Sequence, residues 1–151
     1  MRFGRAATPV FHGDDYKFEI GKAEVIRPGR DLAFIATGIM VSEAMAAADM
    51  LAEQGISARV VNMPTIKPLD EKAVLDAAKE CGKIVTVEEH NILGGLGEAV
   101  SGVVTEHVPV PVHRIGVRDK FGHSGSAAEL LKQFGLCAEN IAREAKTFLK
   151  G

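Results

Sequence analysis

From Asp31 onward, apolar runs of strand length alternate with stretches of helical spacing. Leu32-Ala33-Phe34-Ile35-Ala36-Thr37 is continuously apolar and stops at Gly38, as a strand buried on both faces does. Over residues 41–54, Val41, Met45, Ala48 and Leu51 recur at helical spacing, and Gly55 stands where a helix-ending glycine belongs. Residues 57–63 supply a second strand around Val60-Val61. Asp70 is placed to cap a helix reaching Cys81, with Gly82 as its stop. A third strand covers residues 83–87. A helix follows over 97–107, with Ala99, Val100, Val103 and Val104 turned inward, and then a fourth strand over 112–117. Ser126 and Glu129 have the spacing of a capping box, in which hydroxyl and carboxylate each take an orphan backbone N–H. Its helix carries Leu130, Leu131 and Phe134 and ends at Gly135. A last helix from Ala138 turns Ile141, Ala145, Phe148 and Leu149 inward. Buried strands separated by helices predict a three-layer α/β sandwich. About five strands are expected, mostly parallel, with an antiparallel one at an edge.

Residues 1–30 read differently. His12-Gly13-Asp14-Asp15 is a turn. Lys17-Phe18-Glu19-Ile20 and Ala23-Glu24-Val25-Ile26 alternate, and Arg27-Pro28-Gly29-Arg30 is another turn. This predicts an entry arm over residues 1–16, then a small hairpin or edge strand that opens the α/β domain of residues 17–151.

Composition narrows the function classes. A chain of 151 residues is long enough for one sizeable core. Lys and Arg number 18 against 20 Asp and Glu, with no basic block; Trp is absent and Tyr occurs once. Nucleic acid is therefore not expected as a partner, having neither a charged track nor aromatic stacking surface to bind. No apolar run reaches the ~18 residues that span a bilayer, so no membrane partner is expected either. The N-terminus carries no hydrophobic signal core. Cys81 and Cys137 stand apart from each other, as small apolar filler in a reducing, cytoplasmic protein would.

Chemistry concentrates after the third strand. Glu88-Glu89-His90 precedes Gly94-Gly95-Leu96-Gly97, and strand ends meet helix N-termini at this edge of a parallel sheet. Three readings are open. His90 and one glutamate could do acid/base work. The backbone of Gly94, Gly95 and Gly97 could hold an anion. Or Glu88 and Glu89 could cap or ion-pair at the following helix, where negative charge is favoured, with the glycines permitting close packing. A dinucleotide reading is poor, because the turn follows the third strand and no acidic residue stands at a strand end ~20 residues later. Asp119-Lys120-Phe121-Gly122-His123-Ser124-Gly125 reads as a turn that plugs Phe121 into the core or an adjoining subunit. No histidines have metal-ligand spacing.

Taken in order, several segments resemble the C-terminal domain of the transketolase family. They are Asp31 to Gly38, Ala58-Arg59-Val60-Val61-Asn62-Met63 with Thr65 to Asp70, Val85-Thr86-Val87-Glu88-Glu89-His90 with Gly94 to Gly97, and Arg114 to Val117 with Asp119 to Gly125. The wording of residues 119–125 is similar to the split, two-subunit transketolases. Deoxyxylulose-phosphate synthase and the β-subunits of 2-oxoacid dehydrogenases are cousins. Arg2-Phe3-Gly4-Arg5 with Pro9-Val10 resembles the last strand of a preceding pyrimidine-binding domain, and the resemblance implies that Arg5 helps hold a sugar phosphate. It further implies a thiamine diphosphate enzyme using Mg²⁺ or Ca²⁺, a homodimer, with pyrophosphate- and pyrimidine-binding domains as partners. It also places the region of Glu88 to Gly97 near subunit contacts. The chain has no Gly-Asp-Gly metal motif and no second α/β domain. The expectation is therefore that Met1 is a truncated or artificial start, that this chain binds no cofactor alone, and that it is an inactive assembly module of a larger enzyme. A free-standing regulatory or nucleotide-binding module is the alternative from another class.

Overall fold

The computed structural model describes residues 8–151. Ten elements follow in the order β1 (Glu24–Arg27), β2 (Leu32–Ala36), α1 (Met40–Ala52), β3 (Ala58–Asn62), α2 (Glu71–Cys81), β4 (Ile84–Asn91), α3 (Leu96–His107), β5 (Val112–Val117), α4 (Ala127–Gln133) and α5 (Ala138–Lys150). The strands form one sheet in the order β1-β3-β2-β4-β5. The β3–β2, β2–β4 and β4–β5 pairs are parallel, and β1 lies antiparallel to β3 at the edge. The α/β sandwich expected from the apolar pattern is the observed fold.

Every residue of β2 is buried, so its two faces feed two core layers. Leu32, Phe34 and Ala36 pack with Val60, Val85, Val87 and Ile115 beneath α1 and α5. Ala33 and Ile35 pack with Val61, Ile84, Leu96 and Val100 beneath α2 and α3. The period-2 alternation of strand side chains makes this division automatic.

Local signals decide the ends. Asp70 caps α2 by accepting from Ala73 N at 3.1 Å, and Gly82 closes it in the left-handed conformation at φ 67°. The capping box of Ser126 and Glu129 is formed at α4. Of the hairpin or edge strand expected at the entry, the edge strand is present: β1 pairs with β3, and Lys17 to Ile20 form no strand. Of the two places expected for Phe121, the core of this chain is corrected, because the side chain is 96% exposed.

Candidate functional site

The strand expected to stop at Val87 continues through Glu88, Glu89 and His90 to Asn91. Its pairing with β5 shifts register past Val87 and resumes at Asn91 opposite Val117. A sequence pattern reads Glu88 as the end of a buried run, because an unpaired buried carboxylate is prohibitive. Here the carboxylate is paired. Glu88 is 1% exposed, and its Oε2 accepts from Leu96 N while its Oε1 accepts from Gly97 N, both at 2.8 Å. These are orphan donors of the first turn of α3, where the helix dipole also favours negative charge.

The glycine turn exists to let this happen. A Cβ on Gly95 would lie 2.0 Å from Glu88 Oε2, so no other residue fits without displacing the carboxylate. A Cβ on Gly97 would lie 2.7 Å from Arg114 Cδ and 2.9 Å from Thr86 Oγ1. Gly94 takes φ 74°, and its N–H donates to Glu98 Oε2 at 2.9 Å. Thus the N–H groups of Gly94, Leu96 and Gly97 are all held by the chain's own carboxylates. The turn that could have cradled a phosphate is filled from inside.

The remaining residues of the cluster diverge. Glu89 and His90 are exposed. His90 Nδ1 lies 2.8 Å from its neighbour's carbonyl, Asn91 O, which accepts from it. Glu88 is therefore sealed in while His90 faces solvent, so Glu88 is not the glutamate that could work with His90. Arg5 lies outside the described residues.

Other polar residues that organise this edge were not singled out in the sequence. Arg114, on β5, donates to Ile92 O at 3.2 Å and stands 3.8 Å from Glu98 Oε1. Asn91 accepts from Leu93 N at 2.9 Å and donates from Nδ2 to Asp119 Oδ1 at 3.0 Å. The first of these is an Asx turn, and an Asn three residues before Gly94 is its legible signal. The long-range bond to Asp119 leaves no local signature. Thr86 Oγ1 is buried without a hydrogen-bond partner.

On the opposite face, β5 is bound to α5. His113 Nε2 lies 2.8 Å from Glu144 Oε2, and Lys83 Nζ donates to the carbonyls of Phe148 and Leu149 at the end of α5. Burial pushes the Glu144 carboxyl up, but hydrogen bonds from His113 and Asn140 and the charges of His113 and Arg118 outweigh it and hold the group below its ordinary range. Burial raises the Cys81 thiol, which suits a packing residue, not a nucleophile.

Two clefts lie away from this edge. One, of about 460 Å³, opens beside Phe11, His12, Tyr16 and Glu24. The other, about 370 Å³, lies between β1 and α2, where Arg59 pairs with Glu80 and Lys72 with Asp76. Among the described residues no three His, Cys, Asp or Glu side chains gather as a metal site would require. With the turn donors already taken by Glu88 and Glu98, the site does not fit a metal–diphosphate pair, and no step through thiamine diphosphate follows from these residues.

A family model described as the transketolase C-terminal domain matches residues 21–141. The chain belongs to the transketolase C-terminal domain family. This transketolase C-terminal domain is 49% identical over 145 residues to a 6-deoxy-6-sulfo-D-fructose transketolase subunit of Clostridium sp. (strain MSTE9), an alignment covering 96% of this chain and 45% of that protein. It is 45% identical over 138 residues to a 1-deoxy-D-xylulose-5-phosphate synthase of Thermomicrobium roseum, covering 91% of this chain and 22% of that enzyme. A solved structure described as a split-gene transketolase in an inactive β4 tetramer superposes with a TM-score of 0.93. It shares 40% identity, over 97% of this chain and 48% of its own. The domain thus spans about half the length of the split subunits it matches. Among its described residues no helix is long and apolar enough to cross a membrane.

Proposed function

We propose that this domain is the C-terminal part of a split transketolase subunit, and that its own work is assembly. The whole enzyme would move a two-carbon ketol unit between sugar phosphates, with thiamine diphosphate and Mg²⁺ or Ca²⁺ held by pyrophosphate- and pyrimidine-binding domains. This domain packs on those domains, joins a homodimer, and carries Arg5 on the arm of residues 1–16 toward the substrate phosphate. A guanidinium suits that role because it bonds a phosphate through two N–H groups at once.

Coverage carries the reading. The likeness runs over 96% of this chain yet takes up 45% of a transketolase subunit. The internal filling of the glycine turn supports it, since the edge where open α/β domains bind ligands is here occupied by Glu88. The test is ketol transfer between sugar phosphates with thiamine diphosphate and Mg²⁺ supplied. The chain alone is expected to be silent, and adding the remaining domains to restore turnover; transfer by the chain alone would refute the assembly role. In the complete enzyme Arg5→Ala is expected to raise the KM for the sugar phosphate, and an unchanged KM would remove Arg5 from the site.

The likeness to a deoxyxylulose-phosphate synthase favours a second reading, the same domain from that enzyme. Formation of 1-deoxyxylulose 5-phosphate by the reconstituted enzyme, in place of ketol transfer, would select it.

A further inference from the structure

The stretch that leads into β1 is tied to the fold mainly at its far end. Residues 8–20 contain no helix or strand, and Val10, Phe18 and Ile20 are all exposed. The backbone bonds of this stretch are local turns: Tyr16 N donates to Gly13 O, and Lys22 N to Glu19 O, both at 3.2 Å. Among the described residues, the next bonds to the body run from Gly21 N to Thr65 Oγ1 at 3.0 Å and from Ala23 N to Asp70 Oδ2 at 2.9 Å. A segment that buries so little apolar surface opens at small cost.

One side chain reaches back from it to the sheet. His12 Nδ1 lies 3.3 Å from Oε2 of Glu24, on β1. That oxygen is buried and accepts no hydrogen bond. The His12 ring is held from both sides, stacked on Tyr16 with centroids 3.6 Å apart and tilted against Phe11 at 4.3 Å. All four residues line the cleft of about 460 Å³ between this stretch and β1.

Protonation completes the contact. A neutral imidazole has one N–H, which either ring nitrogen can carry; an imidazolium has both, and a positive charge. Nδ1 is then a charged donor facing a buried oxygen that lacks one, and the face of Tyr16 also attracts a cation. The charged groups that line the cleft with His12 are Asp15, Lys17 and Glu19 on its own stretch, and Lys22 and Glu24 on the β1 side. Carboxylates outnumber ammonium groups there, so the surroundings favour a positive ring.

We propose that residues 8–20 form a pH-sensitive strap, which His12 fastens to β1 through Glu24 when its ring takes a second proton. The inference does not depend on the assembly role above. Because the added proton strengthens the closed contact, falling pH closes the strap and rising pH releases it, over the range between pH 8 and 5 in which histidine as a residue type gains its charge. The test uses a probe the chain already carries: Tyr16 is its single tyrosine and it has no tryptophan. Steady-state anisotropy of the tyrosine emission, recorded on the full chain from pH 8 to pH 5.5, therefore reports the strap alone. In wild type it is expected to rise as pH falls, with the closed-to-open ratio growing about 2- to 5-fold, as a partly exposed ion pair allows. His12→Gln and Glu24→Gln are expected to stay flat, with circular dichroism unchanged. Glu24→Gln separates fastening from quenching of Tyr16 by a charged ring, since it keeps the ring stack and removes the carboxylate. A flat wild-type profile overturns the strap, and so does a rise in either variant equal to that of wild type.

Discussion

Glu88→Gln is the sharpest probe of how this edge is built, because it removes a charge and almost no volume. Glu88 is 1% exposed and accepts from Leu96 N and Gly97 N at 2.8 Å. Hydrogen bonds to a charged group contribute on the order of 1.5–3 kcal/mol each. In glutamine the amide oxygen can still take one N–H, but its NH₂ then faces the other donor. A buried N–H left unpaired costs about 1–3 kcal/mol, and losing negative charge at a helix N-terminus adds roughly 0.3–1 kcal/mol. Relief from burying a charge offsets part of this. The net expectation is a loss of about 2–3 kcal/mol, or a melting temperature lower by about 4–12 °C for a chain of this size. Urea unfolding followed by circular dichroism measures the total, and hydrogen exchange locates it: the amides of Leu96 and Gly97 should lose protection first. Stability within about 0.5 kcal/mol of wild type, with both amides still protected, would refute the account. Gly95→Ala approaches the same contact from the other side, since its Cβ would lie 2.0 Å from Glu88 Oε2. It should destabilise at least as much as Glu88→Gln, and the two losses should be strongly non-additive in a double-mutant cycle.

Three further outcomes follow from other contacts. Thr86→Val replaces a buried hydroxyl that has no partner by a methyl of similar shape, so thermal or urea unfolding should register a gain of about 1 kcal/mol; a loss would mean the hydroxyl is bonded in solution. Asp70→Ala removes the cap on Ala73 N and the bond to Ala23 N at 2.9 Å, and should cost about 1–2 kcal/mol in urea, with early exchange at both amides. Glu144 is held below its ordinary value in the folded chain, so its contribution is present above the unfolded value near 4.5 and fades as pH falls through the lowered native one. Glu144→Gln should therefore be less stable than wild type at neutral pH, with the gap narrowing in acid; a gap constant over that range would remove the ionised carboxylate as its source.

Much of the architecture was legible because its causes are local. The Asp70 cap on α2, Gly82 and the Ser126–Glu129 pair act within four residues of themselves, and the unbroken run of β2 states burial on two faces directly. What misled was distance. The alternation of residues 17–20 matches a strand, yet β1 found its partner in β3, with Glu24 opposite Asn62, and residues 17–20 form no strand. The pattern leaves Phe121 open between the core and an adjoining subunit, and its place outside the core depends on a loop whose Asp119 is bonded by Asn91, 28 residues before it. The candidate site shows the same limit. The pattern Glu88-Glu89-His90 before a glycine turn is consistent with catalysis, anion binding or capping, because each needs the same residue types at the same strand end. The anion and capping readings differ in what occupies the donors of the first helical turn. An open cradle would have left those N–H groups for a ligand. Here a strand residue, Glu88, turns its carboxylate into the gap, and Gly95 has no side chain to oppose it. Once that is so, an incoming phosphate would have to expel a buried carboxylate whose donors are already satisfied, and like charge repels like at that range. The same residues that could have made a ligand site therefore tie the end of β4 to the first turn of α3.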